Sequence, residues 1–378
     1  MKILHTAATY PPCQDGVSEV VRQISEGLAR RGHEVHVATS WRPERKAQVI
    51  EGVRVHSFRI GGNAVTGTSG DIEAYRRFVI KGPWDVMTNH AAQIWCTDTL
   101  LDLIPLLPWR KVFVAHGLST YGVPSYRNYF NNLSAVLKHY DRMVGLSIRN
   151  EDTRLCHDKG LPPPLIIPNG VQMSDWNQQT LGLREQWKIY NKTWIVSIGN
   201  HSRQKAHHRI FELSKLLRET NCLITIIGNP VPIQRWNLGA LGLAGGCYYS
   251  CIWRTMIGRN CVELRSYLMR RKVISALKEA DLMILTSDWE ASPLVILESM
   301  AAGIPWVSLD VGCVREHVGG VIVKDIKEMA EAVSDLLRNT DKRHSLSVEG
   351  RRRVEQCHDW ETIVGRYEAL YQELVEGR

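Results

Sequence analysis

The chain has 378 residues, 44% of them hydrophobic and 23% charged, which is ordinary for a globular enzyme and too long for one ordinary core, so two domains are expected. Nine cysteines at irregular spacing, with no Cys-x-x-Cys pair, argue against a disulfide framework and against metal ligation by cysteine, and favour a reducing cytosol. The net charge of +8 comes in clusters (Arg42, Arg45, Lys46, Arg54 and Arg59; Arg265, Arg270, Arg271 and Lys272; Arg351 to Arg353) that suit a solvated basic face or contact with anionic lipid; with no zinc-finger spacing and no RNA-recognition signature, nucleic acid is not expected as a partner.

The opening residues, Met1 to Ala7, form too short an apolar run for a signal peptide and read as a first strand. Further β-rich runs follow at 34–39, 53–58, 85–89, 111–116, 142–146 and 165–167. Between the first two lies an amphipathic helix, with Val17, Val20, Val21, Ile24 and Leu28 at helical spacing and Gly32 as its stop. Such alternation predicts a parallel sheet covered by helices on both faces. Pro168-Asn169-Gly170 marks a boundary, and the pattern restarts with strands at 194–198, 223–227, 281–286, 304–308 and 318–323. A last helix carries Ile363, Tyr367, Leu370, Tyr371 and Leu374 on one face. The expected division is 1–170, 171–358 and a terminal helix over 359–378.

Chemistry concentrates in four loops. Glu290-Ala-Ser-Pro-Leu-Val-Ile-Leu-Glu298 follows one strand and precedes another, with Ala301-Ala302-Gly303 as the stop. Pro293 suits a first helical turn, whose free N–H groups on Leu294 and Val295 can face an anion. Glu290 then lies at the loop mouth and Glu298 about two turns on. N–H donors for phosphate beside two carboxylates for hydroxyl groups are what a sugar nucleotide needs, although two Glu at this spacing also occur on solvated helix faces. The loop Gly199-Asn-His-Ser-Arg203-Gln-Lys205 follows the strand at 194–198, where Arg203 and Lys205 can bind a diphosphate or form a solvated basic loop. Pro11-Pro12-Cys-Gln-Asp15-Gly16 joins the first strand to the first helix, and Gly16 lets backbone approach a ligand closely. His116-Gly117 closes the strand at 111–116, where a histidine is either structural or a polar contact for substrate. Gly-x-Gly-x-x-Gly after a strand, a Walker loop and Asp-x-Asp are all missing, so neither a dinucleotide nor a metal-bridged diphosphate is indicated.

These motifs together resemble the GT-B glycosyltransferases of glycosyltransferase family 4. The resemblance runs over nearly the whole chain: Pro11-Pro12 to Gly16, 31–37, His116-Gly117, 167–171, 199–205, Ala280-Asp281, 290–303, and the closing Trp360 and Tyr371. It implies an α/β fold of two Rossmann-like, doubly wound parallel-sheet domains facing a cleft, with a C-terminal helix crossing back to the first domain. It also implies retaining transfer from a nucleoside diphosphate sugar to a hydroxyl acceptor, a glycan, lipid-linked saccharide or small molecule, with no metal and no further cofactor. In that reading Glu298 holds the ribose, Glu290 the transferred sugar, and Leu294 and Val295 offer N–H groups to the donor. Arg203 and Lys205 bind the diphosphate, Gly16 lies beneath it, Asp15 and Gly199 complete the donor set, and His116 touches the sugar near the reaction centre. Asp15-Gly16 for Gly-Gly, Asn200 for Arg, and Ala291-Ser292-Pro293 for Gly-Phe-Gly depart from the family pattern and weaken any donor assignment. A GT-B epimerase or phosphorylase, or a non-catalytic sugar-nucleotide-binding scaffold, is the alternative. The uncharged segment 236–253 reads either as a buried helix pair or as an interfacial element, the latter placing a cytosolic enzyme at the inner face of the membrane.

Overall fold

The computed structural model describes residues 1–13, 15–231, 246–258 and 261–377. The chain divides into two compact units, one of Met1–Gly170 with Trp360–Arg378 and one of Val171–Asp359.

In the first unit the strands are β1 (Lys2–Thr6), β2 (Glu34–Ser40), β3 (Val49–Ile50), β4 (Val53–Phe58), β5 (Ile60–Asn63), β6 (Gly67–Gly70), β7 (Val86–His90), β8 (Arg110–Val114), β9 (Arg142–Gly145) and β10 (Leu165–Ile166). They build a sheet in the order β10-β9-β8-β7-β1-β2-β4-β3, parallel except where β3 pairs with β4. The order reverses between β1 and β7, and in such sheets ligands bind beyond the strand ends at that point. The antiparallel β5–β6 ribbon and the short β3 were not expected from the sequence; the ribbon is glycine-rich, with Gly62, Gly67 and Gly70 at positive φ, so its composition reads as loop.

In the second unit the strands are β11 (Thr193–Ile198), β12 (Cys222–Ile227), β13 (Val262–Arg265), β14 (Leu282–Leu285), β15 (Trp306–Leu309) and β16 (Gly320–Val323), all parallel, in the order β13-β12-β11-β14-β15-β16. Here the reversal falls between β11 and β14. β13 went unforeseen because Arg265 belonged to a basic cluster. At the sheet edge its guanidinium instead pairs with Glu263 at 2.9 Å and lies 4.8 Å over the Trp187 ring.

Two helices tie the first unit together. Gly16–Arg30 starts at Asp15, whose carboxylate accepts from the Ser18 N–H at 2.9 Å, an N-cap that satisfies one of the helix's orphan donors. Trp360–Glu376 buries Ile363, Val364, Tyr367, Leu370, Tyr371 and Leu374. Gly27 is the contact point, since a Cβ there would sit 2.6 Å from Val364 Cγ2. Tyr371 then reaches the sheet, its hydroxyl 2.7 Å from Thr88 Oγ1 and 3.2 Å from His5 Nε2.

Of the uncharged segment, residues 236–245 lie outside the described residues. From 246 onward the chain enters the helix Tyr248–Ile257, which buries only Cys251 and exposes Tyr249, Trp253, Met256 and Ile257. The buried-pair expectation therefore does not hold for this part. Among the described residues no helix is long and apolar enough to cross a membrane.

His5 and His90 are fully buried, their rings 5.1 Å apart, and His90 Nδ1 lies 2.9 Å from His116 Nε2. Burial lowers His5 to about 3 and His116 to about 4, and holds His90 well below its ordinary 6.5, so all three are neutral in the native state. Unfolded histidines take up protons near pH ~6.5 and these do not, so their contribution is complete above that pH and drains as pH falls. The melting temperature of the first unit should decline steadily from about pH 6.5 toward about pH 4; a level profile across that window would contradict the neutral cluster.

Candidate active site

The two loops at the reversal point of the second sheet are joined by hydrogen bonds. Asp288 N–H donates to Gln204 O at 2.8 Å, Gln204 Nε2 to Trp289 O at 2.6 Å, and Thr286 Oγ1 to Lys205 O at 3.3 Å. Arg209 adds bonds to Thr286 O at 3.0 Å and to the Asp288 carboxylate at 2.7 Å. The loop after β11 turns through a short 3-10 segment, Arg203–Lys205, and leaves it with Ala206 at φ +47°. Gly199 makes room for the lysine stem, since a Cβ there would lie 3.1 Å from Lys205 Cδ and Cε.

Lys205 Nζ consequently meets Glu290 Oε1 at 2.5 Å, and Ser287 Oγ donates to the same oxygen at 2.6 Å. Glu290 is only 7% exposed, so its carboxylate is held by two donors in a largely dry loop. The loop is braced from β15. Gly312, at φ +53°, packs so tightly that a Cβ would stand 2.3 Å from Glu290 O and 2.6 Å from Ala291 O, while Cys313 N–H donates to Ala291 O at 3.1 Å. Nothing in the motif spacing marked Gly312.

The helix behind this loop is Leu294–Ala302, closed by Gly303 at φ +71°. Pro293 precedes it as the N-cap residue, with ψ 108°, rather than lying in its first turn. The proline ring sets φ near −65° in either role, and the extended ψ decides. Leu294 and Val295 are the first helical residues, whose N–H groups lie outside the intrahelical ladder. Val295, Ile296, Leu297, Ser299, Met300 and Ala301 are all buried, so this is no solvated helix. Glu298 has a side chain 14% exposed and pairs with Arg270 at 2.5 Å; that guanidinium in turn lies 5.6 Å over the Trp176 ring. Arg270, counted at the sequence level as surface charge, is thus the partner of a candidate ligand.

Arg203 is exposed and has no ion-pair partner among the described residues.

In the first unit, Asp15 Oδ1 accepts from Ser18 N–H and from Thr9 Oγ1 at 3.0 Å, so this side chain holds its own loop, and Gly16 begins the helix exposed. The loop is clamped from outside by Arg45, which donates to Pro11 O and Tyr10 O, both at 2.7 Å, and to Ser40 O at 2.8 Å. This role too was hidden in a basic cluster. β8 ends at Val114, short of the expected His116. His116 and Gly117 follow in left-handed backbone, φ 53° and 91°, which turns the imidazole onto His90 and ends pairing. With both rings neutral, one of the two facing nitrogens carries the shared proton.

Among the described residues one group could hold a metal ion, His201, His207, Cys247 and Cys251, and none of the sugar-nucleotide candidates belongs to it.

The family described as Glycosyl transferases group 1 matches residues 182–353, and Glycosyltransferase Family 4 matches residues 14–175. The chain is a GT-B glycosyltransferase resembling family 4. Over its whole length it is 20% identical to the O-antigen chain mannosyltransferase C of Escherichia coli, covering 100% of both chains. It is 22% identical to the glycogen synthase of Mycobacterium tuberculosis, covering 96% of that protein. Among solved structures it resembles the sucrose-phosphate synthase of Thermosynechococcus elongatus, with a TM-score of 0.81 at 18% identity and full coverage of both chains. It also resembles Anabaena HepE in complex with UDP-glucose, with a TM-score of 0.76 at 16% identity, covering 99% of this chain and 100% of that one.

In this glycosyltransferase Gly312 should be as critical as Glu290, whose backbone it packs against. Gly312→Ala is expected to leave the fold intact by circular dichroism and to lower turnover on the order of 10²-fold, through displacement of the Glu290 loop. Unchanged turnover would show that the loop tolerates the shift.

Proposed function

We propose that the enzyme transfers a sugar from a nucleoside diphosphate sugar to a hydroxyl acceptor with retention of configuration, needing no metal at the diphosphate and no further cofactor. The observation that carries this reading is the pairing of half-buried Lys205 with buried Glu290 at the reversal point of the second sheet, beside a helix N-terminus. Lys205 and the N–H groups of Leu294 and Val295 take the charge that develops on the departing diphosphate, with exposed Arg203 as a second cation. Glu290, oriented by Lys205 and Ser287, accepts hydrogen bonds from the sugar hydroxyls. Glu298 accepts from the ribose, its carboxylate oriented by Arg270 at 2.5 Å. In the first unit, Gly16, exposed at the start of its helix, and neutral His116 are the candidates for ligand contact. With Lys205 and Ser287 both holding Glu290 Oε1, Glu290 is assigned to positioning the sugar, and departure and attack take place on one face of the sugar without a covalent intermediate.

The relatives bear on substrate class. HepE is seen with UDP and with UDP-glucose, and the E. coli relative is a mannosyltransferase of an O-antigen chain. On that support we propose a hexose nucleotide as donor and a growing or lipid-linked glycan as acceptor, in polysaccharide biosynthesis. The exposed Tyr249, Trp253 and Met256, spaced along one side of a helix, suit a peripheral contact with a membrane where such an acceptor resides.

The two acids separate the donor's parts. Glu298→Ala should weaken binding of free nucleoside diphosphate and of the sugar nucleotide alike, by about 1.5–3 kcal/mol. Glu290→Ala should spare free nucleoside diphosphate and depress kcat. Calorimetry with both ligands beside steady-state rates measures this; equal loss of diphosphate affinity in both variants would refute the assignment. Lys205→Ala should lower turnover on the order of 10²-fold, and added Mg²⁺ or Mn²⁺ should not raise the wild-type rate. A rate that depends on either ion would place a metal at the diphosphate.

A further inference from the structure

Beside the loop that carries Lys205, four side chains of metal-binding type converge. His201 and His207 come from that loop, on either side of the Arg203–Lys205 turn. Cys247 and Cys251 come from the start of the helix Tyr248–Ile257, four residues apart and therefore on one face. His201, His207 and Cys251 are buried, and Cys247 is partly so. Their four donor atoms all lie within 4.8 Å of one another. The two imidazole Nδ1 atoms are 3.2 Å apart, and Cys247 Sγ is 3.6 Å from each.

We propose that His201, His207, Cys247 and Cys251 form a structural zinc site. Zinc in a tetrahedral Cys₂His₂ set has Zn–N of about 2.0–2.1 Å and Zn–S of about 2.3 Å, which puts ligand nitrogens about 3.4 Å apart and a nitrogen and a sulfur about 3.6 Å apart. The separations among His201, His207 and Cys247 match that tetrahedron, and the Cys251 sulfur lies within 4.8 Å of the other three donor atoms. Hydrogen bonding alone explains them less well: only one proton fits between two facing Nδ1 atoms, and the sulfur stands equally far from both. The donor set, two thiolates and two imidazoles in tetrahedral array, is the one that selects zinc among common divalent ions. On binding, each thiol releases its proton to solvent. Two thiolates then balance the charge of Zn²⁺, both histidines stay neutral, and no redox change occurs.

The site also answers a packing problem. The helix Tyr248–Ile257 buries a single side chain, Cys251, so hydrophobic burial gives it little hold on the unit. Backbone contacts help, with Cys247 N–H donating to His201 O at 3.0 Å and Ser202 bridging Gly246. A metal would staple this helix to the nucleotide loop and fix both ends of the turn from which Lys205 reaches Glu290. Its role is positional, since none of its ligands is among the groups assigned to the donor. The cysteine spacing argued against metal ligation at the sequence level because the ligands are split between two distant segments.

The test is metal content, read without any sugar substrate. Full-length protein purified without chelator from zinc-supplied cells should carry one zinc per chain by elemental analysis. After removal of zinc, Co²⁺ should give the intense visible bands of a tetrahedral site and a thiolate-to-metal band in the near ultraviolet. Cys247→Ser, Cys251→Ser and His201→Asn should each lower zinc affinity on the order of 10²-fold or more and abolish the tetrahedral bands. Because a variant can fail to fold, the wild type is also melted with and without chelator, and zinc should restore a melting temperature that chelation lowers. Wild-type protein without stoichiometric zinc, a six-coordinate Co²⁺ spectrum, or zinc retained by all three folded variants would each overturn the proposal. None of these outcomes depends on whether the enzyme transfers sugar.

Discussion

The Glu290 carboxylate is almost wholly buried, and a polar group taken out of water needs partners, which Lys205 Nζ at 2.5 Å and Ser287 Oγ at 2.6 Å supply. The Lys205–Glu290 pair therefore welds two loops that leave adjacent parallel strands, and the remaining features of the second unit serve that weld. Gly199 gives the lysine its path, and Gly312 lets β15's loop press against the glutamate backbone. Gln204, Thr286 and Asp288 zip the loops along their length. A largely desolvated pair of this kind contributes less to net stability than to fixing one arrangement of the loops.

Sheet order places the weld. Both units reverse strand order beside their first strand, between β1 and β7 and between β11 and β14, so each opens a crevice beyond the same strand ends. In the first unit the crevice is flanked by the Arg45-clamped loop after β1 and by His90 at the end of β7, and His116 after the neighbouring β8 leans onto His90. The terminal helix reaches back into this arrangement through Tyr371, which bonds Thr88 and His5 beneath the histidine cluster. Packing at the end of the chain is thus connected to His116 through the Tyr371–His5 hydrogen bond, the edge-on contact of the His5 and His90 rings, and the His90–His116 hydrogen bond.

The reading of fold class follows from periodicity, which local sequence controls. Val20, Val21, Ile24 and Leu28 lie on the buried face of the first helix, and Ile363, Tyr367, Leu370 and Tyr371 are buried in the last, because side-chain spacing on a helix is set by the helix itself. The elements that escaped, β3, the β5–β6 ribbon and β13, are short or lie at sheet edges. There burial is partial and composition is polar or glycine-rich, so the local signal is weak while pairing partners far away in sequence make the strand. Pro293 illustrates the limit at one residue: its ring announces a helix start, but whether it caps or enters the helix depends on ψ, which the neighbouring loop decides.

The sequence by itself determined which residues had the right chemistry at the right strand ends. Glu290, Glu298, Lys205, Leu294, Val295 and His116 are legible because loop–helix and strand–loop junctions are local features with their own residue signatures. Only the tertiary structure decided the partners: Arg270 on Glu298, Arg45 on the first loop, Gly312 under Glu290, and two cysteines brought against two histidines from a separate segment. The physical reason is that a partner across space is chosen by complementary charge, shape and donor geometry. None of these leaves a period or a spacing in the chain, and basic residues that look alike in sequence are separated into solvated, stacked and clamping roles only by what folding places beside them.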